Sequence, residues 1–152
     1  PRALGNRSIL ANPKIKEIKS VINKKIKNRE LFRPFAPSVL EEQADKYFFL
    51  EKNMNYKFMN VICDVKHDKV DEIPGVINID KTARPQLVIR EDNELYHELI
   101  SAFYKISNTP LLLNTSLNIQ EPICCDSEDT INCFLNSQMD ILAIGNFFIL
   151  RK

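Results

Sequence analysis

The sequence predicts an α/β fold, a mixed sheet with flanking helices, on three observations. Stretches with apolar residues at three- and four-residue steps alternate with short runs rich in β-branched and aromatic residues. The 152 residues, 44% hydrophobic and 27% charged, have the size and composition of one ordinary globular domain spanning residues 1–152. No internal repeat, low-complexity tract or linker divides them.

The elements follow in order. Asn12-Pro13 offers a capping side chain and a proline suited to a first turn, and Ile15, Ile18, Ile22 and Ile26 recur behind it, so the spacing predicts an amphipathic helix over residues 13–30. Pro34 and Pro37 then force an extended path through "FAPSVL". A short helix is expected around "EEQADKYF" and a buried strand at "KFMNVICDV". Residues 66–81 read as a polar connection with a Pro74-Gly75 turn, followed by the strand "QLVIR". Asp92 or Asn93 caps a helix with the apolar stripe Leu95, Leu99, Ile100, Phe103 and Ile106. "PLLLN" is a short strand that ends in the polar "NTSLN". Asp126-Ser127 starts a helix reaching to about Asn136, and "DILAIGNFFIL" reads as strand, Gly145 turn and strand.

Charge and cysteine usage narrow the function. The 21 basic and 20 acidic residues nearly cancel, which argues against a broadly basic nucleic-acid surface. Residues 1–33 are uneven, with Arg2, Arg7, Lys14, Lys16, Lys19, Lys24, Lys25, Lys27, Arg29 and Arg33 against Glu17 and Glu30. Cys63, Cys124, Cys125 and Cys133 match no zinc spacing and no disulfide framework, so they read as reduced, mostly buried thiols. With no long apolar run and no signal-peptide order, a cytoplasmic protein with no membrane segment is the expectation. A start at Pro1-Arg2 without methionine is expected of a piece of a longer chain.

Gly5, Gly75 and Gly145 are too far apart for a glycine-rich phosphate loop, so any nucleotide site must rely on side chains. Arg2, Arg7, Lys27, Arg29, Arg33 and Arg84 are attached to turns or element ends, and a guanidinium fork binds two phosphate oxygens at once. Ser116 and Asn118 add neutral hydrogen-bonding groups at a strand end. For Lys27 and Arg29 two readings stay open: anion ligands, or cations placed at the negative end of a helix dipole. His67 and His97 read as surface residues, and Ser116 lacks the surroundings of a hydrolase nucleophile.

The blocks "PRALGNRSILANP", "IKNRELFRPFAPSVL", "TARPQLV", "LLLNTSLNIQEPI" and "DILAIGNFFI" together resemble the carboxy-terminal region of the carbamoyltransferases that modify nodulation factors, cephalosporins and aminoglycosides. The resemblance covers nearly the whole chain. It implies a YrdC-like twisted mixed sheet with a basic nucleotide site, in which a Lys-x-Arg pair falls on Lys27-Asn28-Arg29 and a Ser-x-Asn pair on Ser116-Leu117-Asn118. It further implies ATP, with magnesium on the nucleotide, and carbamoyl phosphate as partners, combined into carbamoyl-adenylate with release of pyrophosphate. Lys27, Arg29 and Arg84 are then the expected catalytic cations, Arg7 and Arg33 further binding residues, and Ser116 and Asn118 the groups that orient the adenylate.

The second step, transfer to an acceptor hydroxyl, is expected of an amino-terminal, metal-holding domain that these residues do not include. The family's His-x-Asp-Gly-Thr-x-Arg is here Asn78-Ile79-Asp80-Lys81-Thr82-Ala83-Arg84, so histidine and glycine are replaced by Asn78 and Lys81. Lys81 must then adopt a backbone conformation natural to glycine. Two alternatives stand beside the enzyme: a non-catalytic nucleotide-binding domain, and an RNA-binding module using the basic first helix.

Overall fold

The computed structural model describes residues 4–152; Arg2 lies outside the described residues. In chain order the elements are β1 (Ser8–Ala11), α1 (Ile18–Val21) running into a π-helical turn (Ile22–Ile26), β2 (Ala36–Leu40), α2 (Glu41–Ala44), β3 (Cys63–Asp64), β4 (Thr82–Ala83), β5 (Gln86–Val88), α3 (Glu94–Ser107), β6 (Leu111–Ser116), α4 (Ser127–Asn136), β7 (Ile141–Ile144) and β8 (Phe147–Leu150). The main sheet has the order β1-β6-β2-β5, with β6 antiparallel to both β1 and β2 and β2 parallel to β5. This is the mixed α/β architecture expected. β3 with β4 and β7 with β8 form two-stranded ribbons. Among the described residues no helix is long and apolar enough to cross a membrane.

Alternation along β6 builds the sheet's two faces. Leu111 and Leu113 join Ile9, Val39, Ile22, Ile26 and Phe134 in the larger core, while Leu112 turns to Leu40, Val88, Tyr96 and Ile100 under α3. On the α3 side the apolar layer gives way to a buried polar one. Gln86 Oε1 accepts from Ser38 Oγ at 3.2 Å and from Asn114 Nδ2 at 2.6 Å, tying β2, β5 and β6 together. Pro37 is accommodated in β2 because pairing with β5 begins only at Ser38.

Three expectations need correction. The first helix starts at Ile18, not residue 13: Asn12 Oδ1 accepts from Lys14 N, and the Pro13 carbonyl is taken by Gly75 N at 2.8 Å, so residues 12–17 turn instead of winding. "KFMNVICDV" is not a buried strand. Met59 has φ 56°, which breaks the extended path, Phe58 and Ile62 are exposed, and only Cys63–Asp64 pairs, with Thr82–Ala83. On α3 the expected stripe is displaced: Tyr96 and Ile100 are buried, whereas Leu95 and Ile106 are 83% and 88% exposed. The sequence offers two adjacent apolar stripes, and the one carrying the larger Tyr96 faces the sheet. Of the four cysteines, Cys63, Cys124 and Cys133 are buried and Cys125 is exposed.

Other local rules hold. Asn93 accepts from Tyr96 N to start α3, and Asn108 ends it at φ 57°. Asp126 accepts from Asp129 N to start α4 over the residues expected. Gly145, at φ 54°, makes the turn between β7 and β8.

Candidate functional site at the carboxyl end of β6

Strand register gathers the candidate residues. Ser116, the last residue of β6, pairs with Ser8, the first of β1, and Asn114 pairs with Ala36, the first of β2. One end of the sheet therefore carries the finish of β6 and the starts of its two neighbours. Arg7 immediately precedes β1, Arg33 lies three residues before β2, and Arg84 lies two before β5.

The first helix reaches this end through its π turn. Lys27 N bonds to Ile22 O at 2.8 Å and Arg29 N to Asn23 O at 2.9 Å, spacings wider than the regular i to i−4 bond. Asn28 then reverses the chain at φ 45°. Lys27 is buried, with only 2% of its surface exposed. Its Nζ donates to Ser116 O at 2.5 Å, to Asn118 Oδ1 at 2.7 Å and, more weakly, to Ser116 Oγ at 3.5 Å. Burial, and after it the Arg29 guanidinium, push the Lys27 ammonium down to about 8, against the opposing pull of Cys133, Glu121 and Cys124. The Lys-x-Arg and Ser-x-Asn pairs thus meet as one cluster, whose lysine is satisfied by protein acceptors instead of reaching into open solvent.

Arg29 is held at its inner edge. Its Nε donates to Asn23 Oδ1 at 2.7 Å and its Cζ lies 4.9 Å from the Phe35 ring centre. Both terminal nitrogens have no partner among the described residues, leaving the bidentate edge of the fork available. Arg84 is exposed and also has no hydrogen-bond or ion-pair partner among them. Arg33 pairs with Glu30 at 3.0 Å on the surface. Arg7 donates from Nη1 to the Cys124 carbonyl at 2.9 Å, fixing the loop after Asn118.

Several organising residues escaped the sequence reading. Asn23 is fully buried and donates to Leu31 O and Arg33 O while accepting from Arg29. The signal was a lone amide between Ile22 and Ile26 on an apolar face. Gln120 and Glu121 bracket the cluster, and the Gln86–Asn114 bond ties β5 to β6 two residues before Ser116. Beside the cluster lies a cavity of about 480 Å³ lined by Ile119, Glu121, Cys124, Asn132 and Cys133 among others.

The replaced motif is folded tightly. Asn78 Nδ2 donates to Thr82 Oγ1 at 2.9 Å, Asp80 Oδ1 accepts from Thr82 N and Oγ1, and Lys81 has φ 65°, the left-handed conformation expected of it. His97 lies 3.1 Å from Glu42, and His67 sits in an exposed 3-10 turn (His67–Lys69). Among the described residues no group of three or more His, Cys, Asp or Glu is disposed to hold a metal.

A mixed α/β domain whose sheet end gathers a buried lysine, a half-free guanidinium and a hydroxyl–amide pair has the side-chain donors that can hold an anion. Comparison makes the class specific. The family model described as carbamoyltransferase C-terminus matches residues 1–151, and the chain belongs to that family. It is 44% identical over 154 residues to the nodulation protein NolO of Bradyrhizobium diazoefficiens, covering 100% of this chain and 28% of that protein. The nodulation protein NolNO of Sinorhizobium fredii is likewise 44% identical over 154 residues, covering 100% of this chain and 23% of the relative. The uncharacterized protein MJ1051 of Methanocaldococcus jannaschii is 46% identical over 151 residues, covering 98% and 28%. The chain thus spans about a quarter of the length of these relatives.

Proposed function

We propose that this chain binds ATP and carbamoyl phosphate and makes carbamoyl-adenylate for O-carbamoylation of an acceptor hydroxyl. The observation that carries the reading is the meeting of Lys27 with Ser116 and Asn118 beside an Arg29 whose fork is open. Arg29 and Arg84 would take phosphate oxygens, Lys27 would supply fixed positive charge behind them, and Ser116 and Asn118 would orient the adenylate. Arg33 and Arg7 are peripheral to it, as each is engaged with the protein. No carboxylate pair in the cluster is free for magnesium, since both Glu121 oxygens accept backbone N–H groups, so the ion would arrive on the nucleotide.

The chemistry balances as follows. Cleavage of carbamoyl phosphate by water leaves carbamate and inorganic phosphate; a carbamate oxygen then bonds to the α-phosphorus of ATP, and the bond from that phosphorus to the bridging oxygen breaks, releasing pyrophosphate. The approach of several polyanions is opposed by mutual repulsion, which preorganised cations offset. The site would work in the cytoplasm, and transfer to the acceptor would fall to the remaining part of a full-length carbamoyltransferase and its metal.

One observation favours a second reading, nucleotide binding without turnover. Asn78, where the family has histidine, spends its amide on Thr82 and cannot move a proton. Against RNA binding, Phe35 is buried, which leaves Phe32 without its companion as a stacking surface. Calorimetric titration with ATP, with and without carbamoyl phosphate and magnesium, tests the site. Saturable binding lost in Lys27→Ala/Arg29→Ala is expected, with pyrophosphate release separating the enzyme from the binding domain. No binding by the folded parent would sink both readings.

A further inference from the structure

The loop of residues 118–121 closes on the lysine cluster from outside. Asn118 is forked: its Oδ1 accepts from Lys27 Nζ and from Ser116 Oγ, both at 2.7 Å, so its Nδ2 must point the other way, where it donates to Glu121 O at 2.6 Å. Glu121 folds back over its own turn. One carboxylate oxygen accepts from Ile119 N at 2.8 Å and the other from Gln120 N at 3.0 Å. Burial pushes this carboxyl upward, but those N–H groups outweigh it and hold the group below its ordinary value, so it remains an anion at neutral pH. Gln120 Nε2 then crosses to the Asn28 carbonyl at 2.7 Å, the central residue of the Lys-x-Arg pair. Asn28 sits at φ 45°, in the turn between Lys27 and Arg29, and its carbonyl accepts this bond from the opposite loop.

We infer that Gln120 and Glu121 are positioning residues: without touching substrate, they clamp the Ser-x-Asn turn onto the Lys-x-Arg turn and hold both in the geometry that receives a nucleotide phosphate. The inference rests on the nucleotide reading of Lys27 and Arg29. Glu121 shapes the Ser-x-Asn turn, and Gln120 fastens it to a segment ninety-two residues earlier in the chain. Neither contact belongs to a helix or a sheet ladder. Their loss would leave the core intact and let the two turns drift apart.

The test uses Gln120→Met, which keeps the side chain's length and removes the donor, and Glu121→Gln, which accepts only one of the two N–H groups. Binding of ATP with magnesium is read by calorimetry, and Lys27 is titrated by the Cε shift in lysine-labelled protein. The charged and titratable groups facing Lys27 are Arg29, Cys133, Glu121 and Cys124, so Gln120→Met changes none of them. Both variants should keep the parent's thermal midpoint within a few degrees and bind ATP about tenfold more weakly, the loss of one well-placed hydrogen bond. In Gln120→Met the Lys27 midpoint should rise from about 8 toward its ordinary value as water enters. An unmoved Lys27 midpoint overturns the inference whatever ATP does, as does parent-like affinity in the two variants. A parent that binds no ATP while the midpoint moves would remove the nucleotide reading and leave the clamp on Lys27 standing.

Discussion

Lys27 Nζ lies 2.7 Å from Asn118 Oδ1, an ammonium and an amide separated by ninety-one residues of chain. The contact joins two short motifs that carry no information about each other locally. It also places a cation where little water reaches it, and the first prediction follows from that.

The folded-state value of Lys27 is depressed to about 8 from an ordinary 10.5. Between these two values the unfolded chain binds more protons than the folded one, so this group's penalty is fully present below pH 8 and disappears as pH rises to 10.5. Parent protein should therefore gain stability relative to Lys27→Met between pH 8 and pH 10, measured by urea unfolding across that range. Affinity for ATP should run the other way, falling as the ammonium deprotonates, and Lys27→Arg should abolish that decline. A parent whose affinity is flat from pH 7 to pH 10 would show that Lys27 charge is not used.

Gln86 Oε1 collects two donors, whereas Asn114 Oδ1 is buried with no partner among the described residues. Removing the shared acceptor is therefore worse than removing one donor. Gln86→Leu should cost about 1–3 kcal/mol by stranding Ser38 and Asn114, and Asn114→Leu should cost less because it also removes the orphaned oxygen. Denaturant midpoints with equal slopes would check the order; the reverse order would refute it.

Two backbone positions predict opposite signs. A Cβ on Gly75 would lie 2.6 Å from Ile18 Cγ2 and 2.8 Å from the Pro13 carbonyl, so Gly75→Ala should destabilise by about 1–3 kcal/mol. Lys81, at φ 65°, should gain from Lys81→Gly by up to about 1 kcal/mol. Thermal midpoints of the two variants would move in opposite directions.

Phe147 and Phe148 are 73% and 67% exposed on β8, the outer strand of the terminal ribbon. Phe148→Ser should leave stability within about 0.5 kcal/mol and reduce self-association of this chain in sedimentation velocity, since an exposed apolar strand invites edge pairing. A large loss of stability would mean that the ribbon packs more tightly than its exposure indicates.

Elements whose signals are local were legible in the sequence. Asp126 specifies the start of α4 by its own side chain, and Gly145 the last turn by its own backbone freedom. Where a distant partner decides, the reading failed: Pro13 gives its carbonyl to Gly75, and Tyr96 outcompetes Leu95 for the sheet. The candidate site was legible as two short motifs through their resemblance to a family. Its supports were not, because Asn23, Gln120 and Glu121 act through contacts that only folding creates.

The widened turn at Ile22–Ile26 has a consequence for how this region tolerates change in chain length. A π turn is a helix with one residue too many, and each residue of an α-helix advances the side chains by about 100°. Deleting one residue there would restore regular winding, retain much of the same composition and swing the position of Lys27 around the axis, away from Ser116. Point substitutions at Lys24 or Lys25, both solvent-facing, should be absorbed, whereas deleting either one should disconnect the cluster. The address of the ammonium is thus written in the residue count of one turn.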